Sequence, residues 1–487
     1  MRALETAAAR PNLRRIAIEP VSRVEGHGKV TLLVDEGNRV AQARLHIVEF
    51  RGFEAFIEGR PFWEAPVTVQ RLCGICPVSH HLAAAKAMDV IAGYGPLTPS
   101  AEKLRRLMHY GQIVQSHALH FFHLSSPDLL FGFESEMGKR NIVGVAAAFP
   151  DLARQGVLTR KFGQEVIRHV AGKRIHGTGA IPGGMNKALT HAERDSLRGE
   201  VDTVVAWARE AVGLVARLHE TNKSFYTHFG ERRANMMALA NDSGELDFYH
   251  GTLRARDPDG GAIFDNVDYA NYKDYLQEEI RSWTYMKFPH IKTLGAERGW
   301  YRVGPLARVQ IADRLSTPQA DAERTKFIAA NGGKPAHGAL LTHWARMIEM
   351  LHAAELAREM LDDPDILRPD LMADKGPRRE EGVGVIEAPR GTLFHHYRVG
   401  ENDLISYCNL IVSTTNNNQA MNEAVRSAAD SCFDGREITE GMLNTIEVAI
   451  RAYDPCLSCA THALGAMPLE VTLVGPDGAV IDSRRRD

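Results

Sequence analysis

The sequence has little cysteine and no long apolar run. Six cysteines in 487 residues are too few for the disulfide framework of a small secreted domain. No stretch of about 18 apolar residues occurs, so we expect no membrane-spanning helix, and the N-terminal segment has no signal-peptide core. We therefore expect a cytoplasmic location, where reduced thiols bind metals or react more often than they form structural bridges.

Aromatic residues and net charge are also low. Aromatic side chains make up 7% of the chain, and the formal net charge is -3 at pH 7. Such a chain lacks the basic surface that binds nucleic acids or anionic membranes, and it offers no base-stacking platform. The remaining composition is that of a globular protein with ample chain for a buried core.

Hydrophobic periodicity predicts an α+β fold that is mainly α-helical. Alternation on both sides of a turn at 36–38 predicts a β-hairpin within 14–50, and residues 469–482 predict a second, small C-terminal hairpin. Apolar residues at helical spacing predict a large helical bundle. Its long helices are expected at 98–124, 202–226, 338–363 and 438–453.

We divide the chain into four parts on this pattern. An N-terminal α+β region at 1–98 contains the first cysteine pair, and a helical-bundle core follows at 99–453. A second cysteine motif occupies 454–462, and a C-terminal segment extends over 463–487.

Four of the six cysteines form two matching pairs. "RLCGICPVSH" (71–80) contains Cys73 and Cys76, and "DPCLSCATH" (454–462) contains Cys456 and Cys459 at the same spacing. Two such pairs can close one four-thiolate site around a soft or borderline metal. Structural zinc sites usually have pairs about 15–20 residues apart, whereas nearly the whole chain separates these. Two unrelated pairs of buried cysteines, a four-cysteine zinc site, a catalytic metal centre and a redox-active CxxC all stay open on spacing alone.

With four further motifs, these pairs resemble the large (catalytic) subunit of [NiFe]-hydrogenases. The motifs occur in the family's order and are "SRVEGHG" (22–28), "FRGFE" (50–54), "GAIPGGM" (179–185) and "EAPRG" (387–391). The second pair and the following "ALGAMPLEVTL" look most like the soluble, NAD-reducing bidirectional group. The resemblance implies reversible cleavage of H2 to protons and electrons, coupled to NAD+. An F420- or NADP-coupled relative and a non-catalytic four-cysteine zinc scaffold are the alternatives.

The resemblance also implies the metals and their ligands. Nickel is expected on all four paired thiolates, and Cys76 and Cys459 are expected to bridge to an iron that carries one carbon monoxide and two cyanides. A second metal, usually magnesium, is expected on Glu54, the backbone carbonyl of Leu410 and His462, because hard oxygen donors suit it.

Donors around the iron follow from the same resemblance. Arg390 matches an arginine beside the cyanides, where a permanently charged, rigid fork suits anionic acceptors. Thr414 matches a Ser/Thr that hydrogen-bonds a cyanide, although Ser413 and Asn416 depart from the usual Pro and Trp. His80 is expected to donate a hydrogen bond to a bridging thiolate.

Proton handling is implied for a further set of residues. Cys456 is expected to accept the proton of H2 with help from Arg390, and Glu25 is expected to pass it outward. Asp128 and Asp454 match carboxylates close to nickel, which we expect to pair with Arg390 in one network.

The chain lacks its own electron-transfer motifs. No Walker A motif occurs, Pro182 replaces the third glycine of a G-x-G-x-x-G pattern, and two remaining cysteines are too few for an iron–sulfur cluster. The resemblance implies a small subunit with an iron–sulfur cluster and a diaphorase module with flavin and iron–sulfur clusters that binds NAD. It also implies a nickel-dependent maturation endopeptidase that cleaves between His462 and Ala463 and releases residues 463–487.

Overall fold

The computed structural model describes residues 12–433, 435, 437–461, 469–474 and 479–486. Its α-helices are α1 Phe53–Ile57, α2 Ala65–Thr68, α3 Pro77–Ala92, α4 Pro99–Ala118, α5 Ser126–Phe131, α6 Ile142–Ala148, α7 Pro150–Ala171, α8 His191–Thr221, α9 Lys223–His228, α10 Tyr272–Tyr275, α11 Gly295–Arg298, α12 Pro305–Ile311, α13 Pro318–Ala330, α14 Leu341–Asp362, α15 Ser413–Asn416, α16 Asn418–Cys432 and α17 Glu440–Ala452. Its strands are β1 Arg14–Ile18, β2 Gly28–Val34, β3 Val40–Ile47, β4 Ala180–Ile181, β5 Gly184–Met185, β6 Asn235–Ala240, β7 Thr252–Arg256, β8 Ala262–Val267, β9 Leu276–Glu279, β10 Phe288–Ile291, β11 Tyr301–Arg302, β12 Glu381–Ala388, β13 Gly391–Val399, β14 Ile405–Ile411, β15 Leu469–Val474 and β16 Val480–Arg486. The predicted α+β, mainly helical fold class is confirmed.

Four long helices, α4, α7, α8 and α14, pack on one another, which confirms a helical bundle, although α7 is not among the predicted helices. Helix α4 starts where predicted, because the Thr98 side chain accepts a hydrogen bond from the N–H of Ala101. Helix α8 begins earlier than predicted, since Thr190 and Glu193 form a capping box that starts it at His191. Helix α4 passes into a π-helical turn over Leu119–Ser125, a departure that apolar spacing does not reveal.

The N-terminal sheet has the order β1-β2-β3 and is antiparallel. Strands β2 and β3 are the predicted hairpin, and β1 adds a third strand. All seven residues of β2 are buried, and the side chain of Asn422 on α16 accepts a hydrogen bond from the N–H of Leu45 at 2.8 Å. The second predicted hairpin corresponds to β15 and β16, which pair antiparallel, while its turn lies outside the described residues.

Two sheets interrupt the core that was predicted as helical. One has the order β11-β6-β7-β8, and the other is the antiparallel sheet β12-β13-β14. Strand β12 is buried at seven of its eight positions, so it lacks the polar–apolar alternation that identifies a half-buried strand in a sequence. The turn between β12 and β13 carries Arg390 and therefore shapes the site described below.

Backbone hydrogen bonds bring the two ends of the chain together. The N–H of Leu457 donates to the carbonyl of Glu25 at 2.9 Å, and Glu25 forms a parallel bridge with Cys456. Gly26 has φ +83, and a Cβ there would lie 2.6 Å from the backbone nitrogen of Ser458. Glycine is therefore required for this close approach, which sets the N-terminal sheet against the second cysteine pair.

Lys86 is a buried lysine that ties α3 to neighbouring strands. Its Nζ donates to the carbonyls of Tyr249 at 2.5 Å and Val385 at 2.7 Å. Burial lowers the pKa of Lys86 from 10.5 to about 7. Between these two values the unfolded chain holds a proton that the folded chain does not, so this group makes the free energy of unfolding rise with pH.

We expect Lys86→Met to flatten the pH dependence of stability. The wild-type melting temperature should rise more than that of the variant between about pH 7.5 and about pH 9, because only the wild type has this titration. Lys326→Met is the matched control, since Lys326 is 66% exposed. Equal pH dependence in Lys86→Met and in the wild type would contradict the assignment.

Candidate metal centre

The four paired cysteines converge in the core. Their sulfur atoms all lie within 4.8 Å of one another. The Sγ of Cys456 is 3.2 Å from that of Cys73 and 2.8 Å from that of Cys459. All four side chains are buried, so the predicted meeting of the two pairs is confirmed.

The secondary structure around each cysteine pair places its two thiols at the same point in the core. Cys73 follows a short 3-10 helix at Val69–Leu72 and Cys76 is the N-cap of α3. The second pair follows α17, where the chain reverses at Asp454, a residue with φ 54. Reversal by a non-glycine residue in the left-handed region costs backbone strain of about 1–3 kcal/mol, which the contacts of Asp454 offset.

The thiols are electrostatically coupled. Hydrogen bonds from Cys456 and Cys459 hold the pKa of Cys76 well below its usual range, whereas burial raises the pKa values of Cys456 and Cys459. A buried thiolate among three close sulfurs favours a bound cation, because several thiolates can ionise together only beside a positive charge.

Arg390 is a buried guanidinium next to the sulfurs. Its Nε donates to the carbonyl of Asp454 at 2.5 Å, and its Nη2 donates to Oδ1 of Asp454 at 3.0 Å. Burial raises the pKa of Asp454 to about 6 although Arg390 opposes that shift. Burial acts to lower the pKa of Arg390, but the charge of Asp454 and then the nearby thiols keep it well above its usual value.

The prediction that Asp128 pairs with Arg390 is wrong. Its carboxylate accepts from Arg23 at 2.6 Å and Arg451 at 2.7 Å, and from Asn444 at 3.2 Å. Among the described residues, Arg390 therefore pairs with Asp454 and not with Asp128. The side chain of Asp128 joins the N-terminal segment to α17, a connection that sequence separation hides.

Glu25 lies directly on the sulfur cluster. The Sγ of Cys456 donates to Oε2 of Glu25 at 2.9 Å. Ser458 holds the same carboxylate through its N–H, at 3.2 Å, and through its hydroxyl. Ser458 is a site residue that the sequence motifs did not identify, although its hydroxyl lies between the two cysteines of the second pair.

A small cavity adjoins Cys76 and Cys456. Its polar lining includes Arg390, Thr414 and His80, and apolar side chains complete it. The hydroxyl of Thr414 accepts from the N–H of Cys456 at 2.9 Å, which leaves its own proton available for donation. The Nδ1 of His80 pairs with Nε2 of His395 at 3.0 Å, and its buried Nε2 has no nitrogen or oxygen partner among the described residues. The His80 side chain also hydrogen-bonds Cys76 and helps to lower the pKa of that thiol.

These features fit a metal group that carries small anionic acceptors. Four thiolates suit a soft or borderline metal such as nickel, iron or zinc, and the cavity beside them also presents the guanidinium of Arg390 and the hydroxyl of Thr414. A structural zinc site with four thiolate ligands would leave these buried donors without acceptors. Because unpaired buried polar groups are costly, the lining favours a metal group that itself carries acceptors.

The residues expected to bind the second metal come together in part. Oε1 of Glu54 accepts from the backbone N–H of Leu410 at 2.8 Å, and Nζ of Lys287 lies 3.9 Å from that carboxylate. Burial raises the pKa of Glu54 to about 7. His462 lies outside the described residues. A cavity of about 800 Å³ next to Glu54 connects this region with solvent.

Sequence comparison assigns the family to which this centre belongs. A profile described as nickel-dependent hydrogenase matches residues 51–131 and 243–462, and one described as HoxL-like matches residues 15–50. Together they cover more than half of the chain. The site is that of a metalloenzyme with a sulfur-ligated core, and the chain belongs to the nickel-dependent hydrogenase family.

Similar proteins support this assignment along the whole chain. The NAD-reducing hydrogenase HoxS subunit beta of Cupriavidus necator is 48% identical over 487 residues, 97% of this chain and 100% of that protein. A chain of the F420-non-reducing hydrogenase vhc of Methanococcus voltae is 41% identical over 461 residues, 94% of this chain and 96% of that protein. A solved NAD+-reducing [NiFe]-hydrogenase in the H2-reduced state is 56% identical with a TM-score of 0.91, and the match covers 92% of this chain and 99% of that one. Within the described residues, no helix is both long and apolar enough to cross a membrane.

Proposed function

We propose that this chain is the catalytic subunit of a [NiFe]-hydrogenase that interconverts H2 with two protons and two electrons, coupled to NAD+ through partner subunits. The observation that carries the proposal is the convergence of four sulfurs within 4.8 Å from motifs 383 positions apart. The 48% identity to an NAD-reducing hydrogenase over 97% of the chain favours NAD+ over F420 or NADP as the final acceptor.

The four cysteines would hold the metals. Cys73, Cys76, Cys456 and Cys459 would bind nickel, and Cys76 and Cys459 would also bind an iron with one carbon monoxide and two cyanides. When bound, this group would supply the site that binds H2 and accepts its electrons. Arg390, Thr414 and His80 would donate hydrogen bonds to the cyanides or to sulfur, and the surrounding apolar side chains would exclude water.

Proton transfer would start at Cys456. Its Sγ already donates to Oε2 of Glu25 at 2.9 Å, within the reach that general acid–base transfer requires. Ser458 fixes the carboxylate, so the proton has a defined acceptor. Glu25 is partly exposed, and it would pass the proton out of the core. Asp454 would keep the Arg390 fork oriented, whereas Asp128 would act through Arg451 and Arg23.

Glu54 and the carbonyl of Leu410 would bind magnesium together with His462. We expect Glu54→Gln to lose bound magnesium while it keeps nickel and iron, because a neutral amide is a poor ligand for a hard cation. Elemental analysis of the purified holoenzyme measures this. Glu58→Gln is the matched control, since Glu58 lines the same cavity. Equal magnesium in Glu54→Gln and the wild type would rule Glu54 out as a ligand.

Partners and maturation complete the proposal. A small subunit with an iron–sulfur cluster would take electrons from the site, and a flavin- and cluster-containing diaphorase module would reduce NAD+ in the cytoplasm. Regions 1–98, 99–453 and 454–462 would form the mature subunit. An endopeptidase would remove residues 463–487 by cleavage after His462, and the intact mass of the mature, active chain tests that cleavage.

The experiment that tests the function uses the complex purified from its host. We expect H2-dependent reduction of both an artificial dye and NAD+. Dye reduction without reduction of NAD+ would overturn the coupling alone. No uptake of H2 with any acceptor, in a preparation that contains nickel, would overturn the hydrogenase assignment.

A further inference from the structure

Arg308 on α12 holds the backbone that leads into Arg390. Its guanidinium donates to the carbonyl of Ala388 at 2.6 Å and to that of Pro389 at 3.2 Å. These are the two residues directly before Arg390. The Arg308 side chain is fully buried, so water does not substitute for either contact.

Two carboxylates fix the guanidinium of Arg308 in turn. Glu349 of α14 accepts from Nε and Nη2 at 2.6 Å each, which is the two-point geometry that fixes the plane of an arginine fork. Glu387 accepts from Nη1 at 2.9 Å. His117 of α4 contacts Glu349 at 3.1 Å, so the bundle helices anchor the fork from behind.

Glu387 also fixes the far side of the same turn. Its Oε1 accepts from the N–H of Leu239 and from the hydroxyl of Thr392, each at 2.8 Å. Residues before and after Arg390 are therefore bonded to one ionic cluster, which consists of Arg308, Glu349 and Glu387. The guanidinium of Arg308 donates to Glu349, to Glu387 and to the backbone of the turn. None of these hydrogen bonds goes to a cysteine, so the cluster contacts the turn and not the sulfurs.

We propose that Arg308 is a positioning residue for Arg390, setting where its guanidinium stands relative to the sulfur cluster and the adjoining cavity. This inference rests on the proposed hydrogenase function. Rigid support of this kind matters because displacement of a catalytic group by about 1 Å can lower a rate by about 100-fold. The three residues of the ionic cluster come from α12, α14 and β12. Only Glu387 belongs to one of the sequence motifs, "EAPRG" (387–391), so the motifs alone do not reveal the cluster.

A buried arginine elsewhere in the chain offers a matched control. Arg105 on α4 is also fully buried, is bonded to Asp89 through two nitrogens at 2.6 Å and 3.0 Å, and donates to the carbonyls of Ile181 and Gly184. Its contacts hold a different loop. Arg105→Lys therefore removes a comparable set of buried hydrogen bonds without touching the turn at Arg390.

The test compares Arg308→Lys with Arg105→Lys in the purified holoenzyme. Lysine keeps the charge but lacks the planar fork. We expect Arg308→Lys to retain nickel and iron, to shift the infrared bands of the iron-bound cyanides, and to lower H2 oxidation per nickel by about 10- to 100-fold. Arg105→Lys should keep the wild-type cyanide bands, even where its melting temperature falls.

The outcomes separate a failure of this proposal from a failure of the hydrogenase function. Wild-type cyanide bands and turnover per nickel in Arg308→Lys would overturn the proposal, and so would equal band shifts in both variants. If Arg308→Lys does not yield folded holoenzyme, Glu387→Gln decides, with a smaller shift of the same bands expected and unchanged bands overturning the proposal. Absence of carbonyl and cyanide bands in the wild type would instead overturn the hydrogenase function itself.

Discussion

Replacing Cys76 with serine should strip the chain of nickel and iron and abolish H2 oxidation. Serine keeps the size of the side chain but presents a hard oxygen whose proton is not lost near neutral pH, so a soft thiolate ligand disappears. Changes in groups that merely support a ligand cost about 10- to 100-fold in metal affinity or activity. Loss of a ligand shared by two metals should therefore cost more than about 100-fold.

Cys432→Ser provides the control for this experiment. Cys432 ends α16 and lies outside the four-sulfur cluster. Nickel and iron per chain and H2-dependent dye reduction should match the wild type in this variant. Full nickel content and activity in Cys76→Ser would show that this cysteine binds neither metal.

Replacing Glu25 with glutamine should stop proton transfer while the metals stay in place. Glutamine has nearly the same shape, and its amide oxygen can still accept from Sγ of Cys456 and from the N–H of Ser458, which both donate to Oε2 of Glu25. It cannot take up a proton, so we expect H2 oxidation to fall by about 100- to 10,000-fold, the usual contribution of a general acid–base group. Nickel and iron content and the infrared bands should not change.

The matched control for Glu25→Gln is Glu49→Gln. Glu49 pairs with the exposed His27 and not with a cysteine, so its loss should leave turnover unchanged. Both variants are assayed by H2-dependent dye reduction and by exchange of D2 with water. Wild-type turnover in Glu25→Gln would mean that protons leave the site by another route.

Local signals in the sequence predicted part of the fold. The Thr98 cap and regular apolar spacing identified α4, and alternation around a short turn identified β2 and β3. The buried strand β12 lacks alternation, because both of its faces are covered, and it was assigned to the helical core. The sheet that carries Arg390 and Leu410 was therefore missed.

The candidate site was predictable where residues recur as a motif. The two CxxC pairs indicated one metal centre, and their convergence is confirmed. Buried ion pairs between distant parts of the chain have no comparable motif. Nothing in the sequence indicates that Asp128 pairs with Arg451 or that Arg308 pairs with Glu349. Buried ion pairs form between elements whose relative placement only the whole fold determines, which is why the expected pairing of Asp128 with Arg390 was wrong.

Infrared spectroscopy of the purified holoenzyme, combined with its metal content, tests the central claim most directly. If Cys73, Cys76, Cys456 and Cys459 hold one nickel–iron group, the spectrum contains one band of metal-bound carbonyl and two of cyanide, and nickel is present in the same molar amount as this chain. Zinc bound to the four thiolates, with no such bands, would contradict the account.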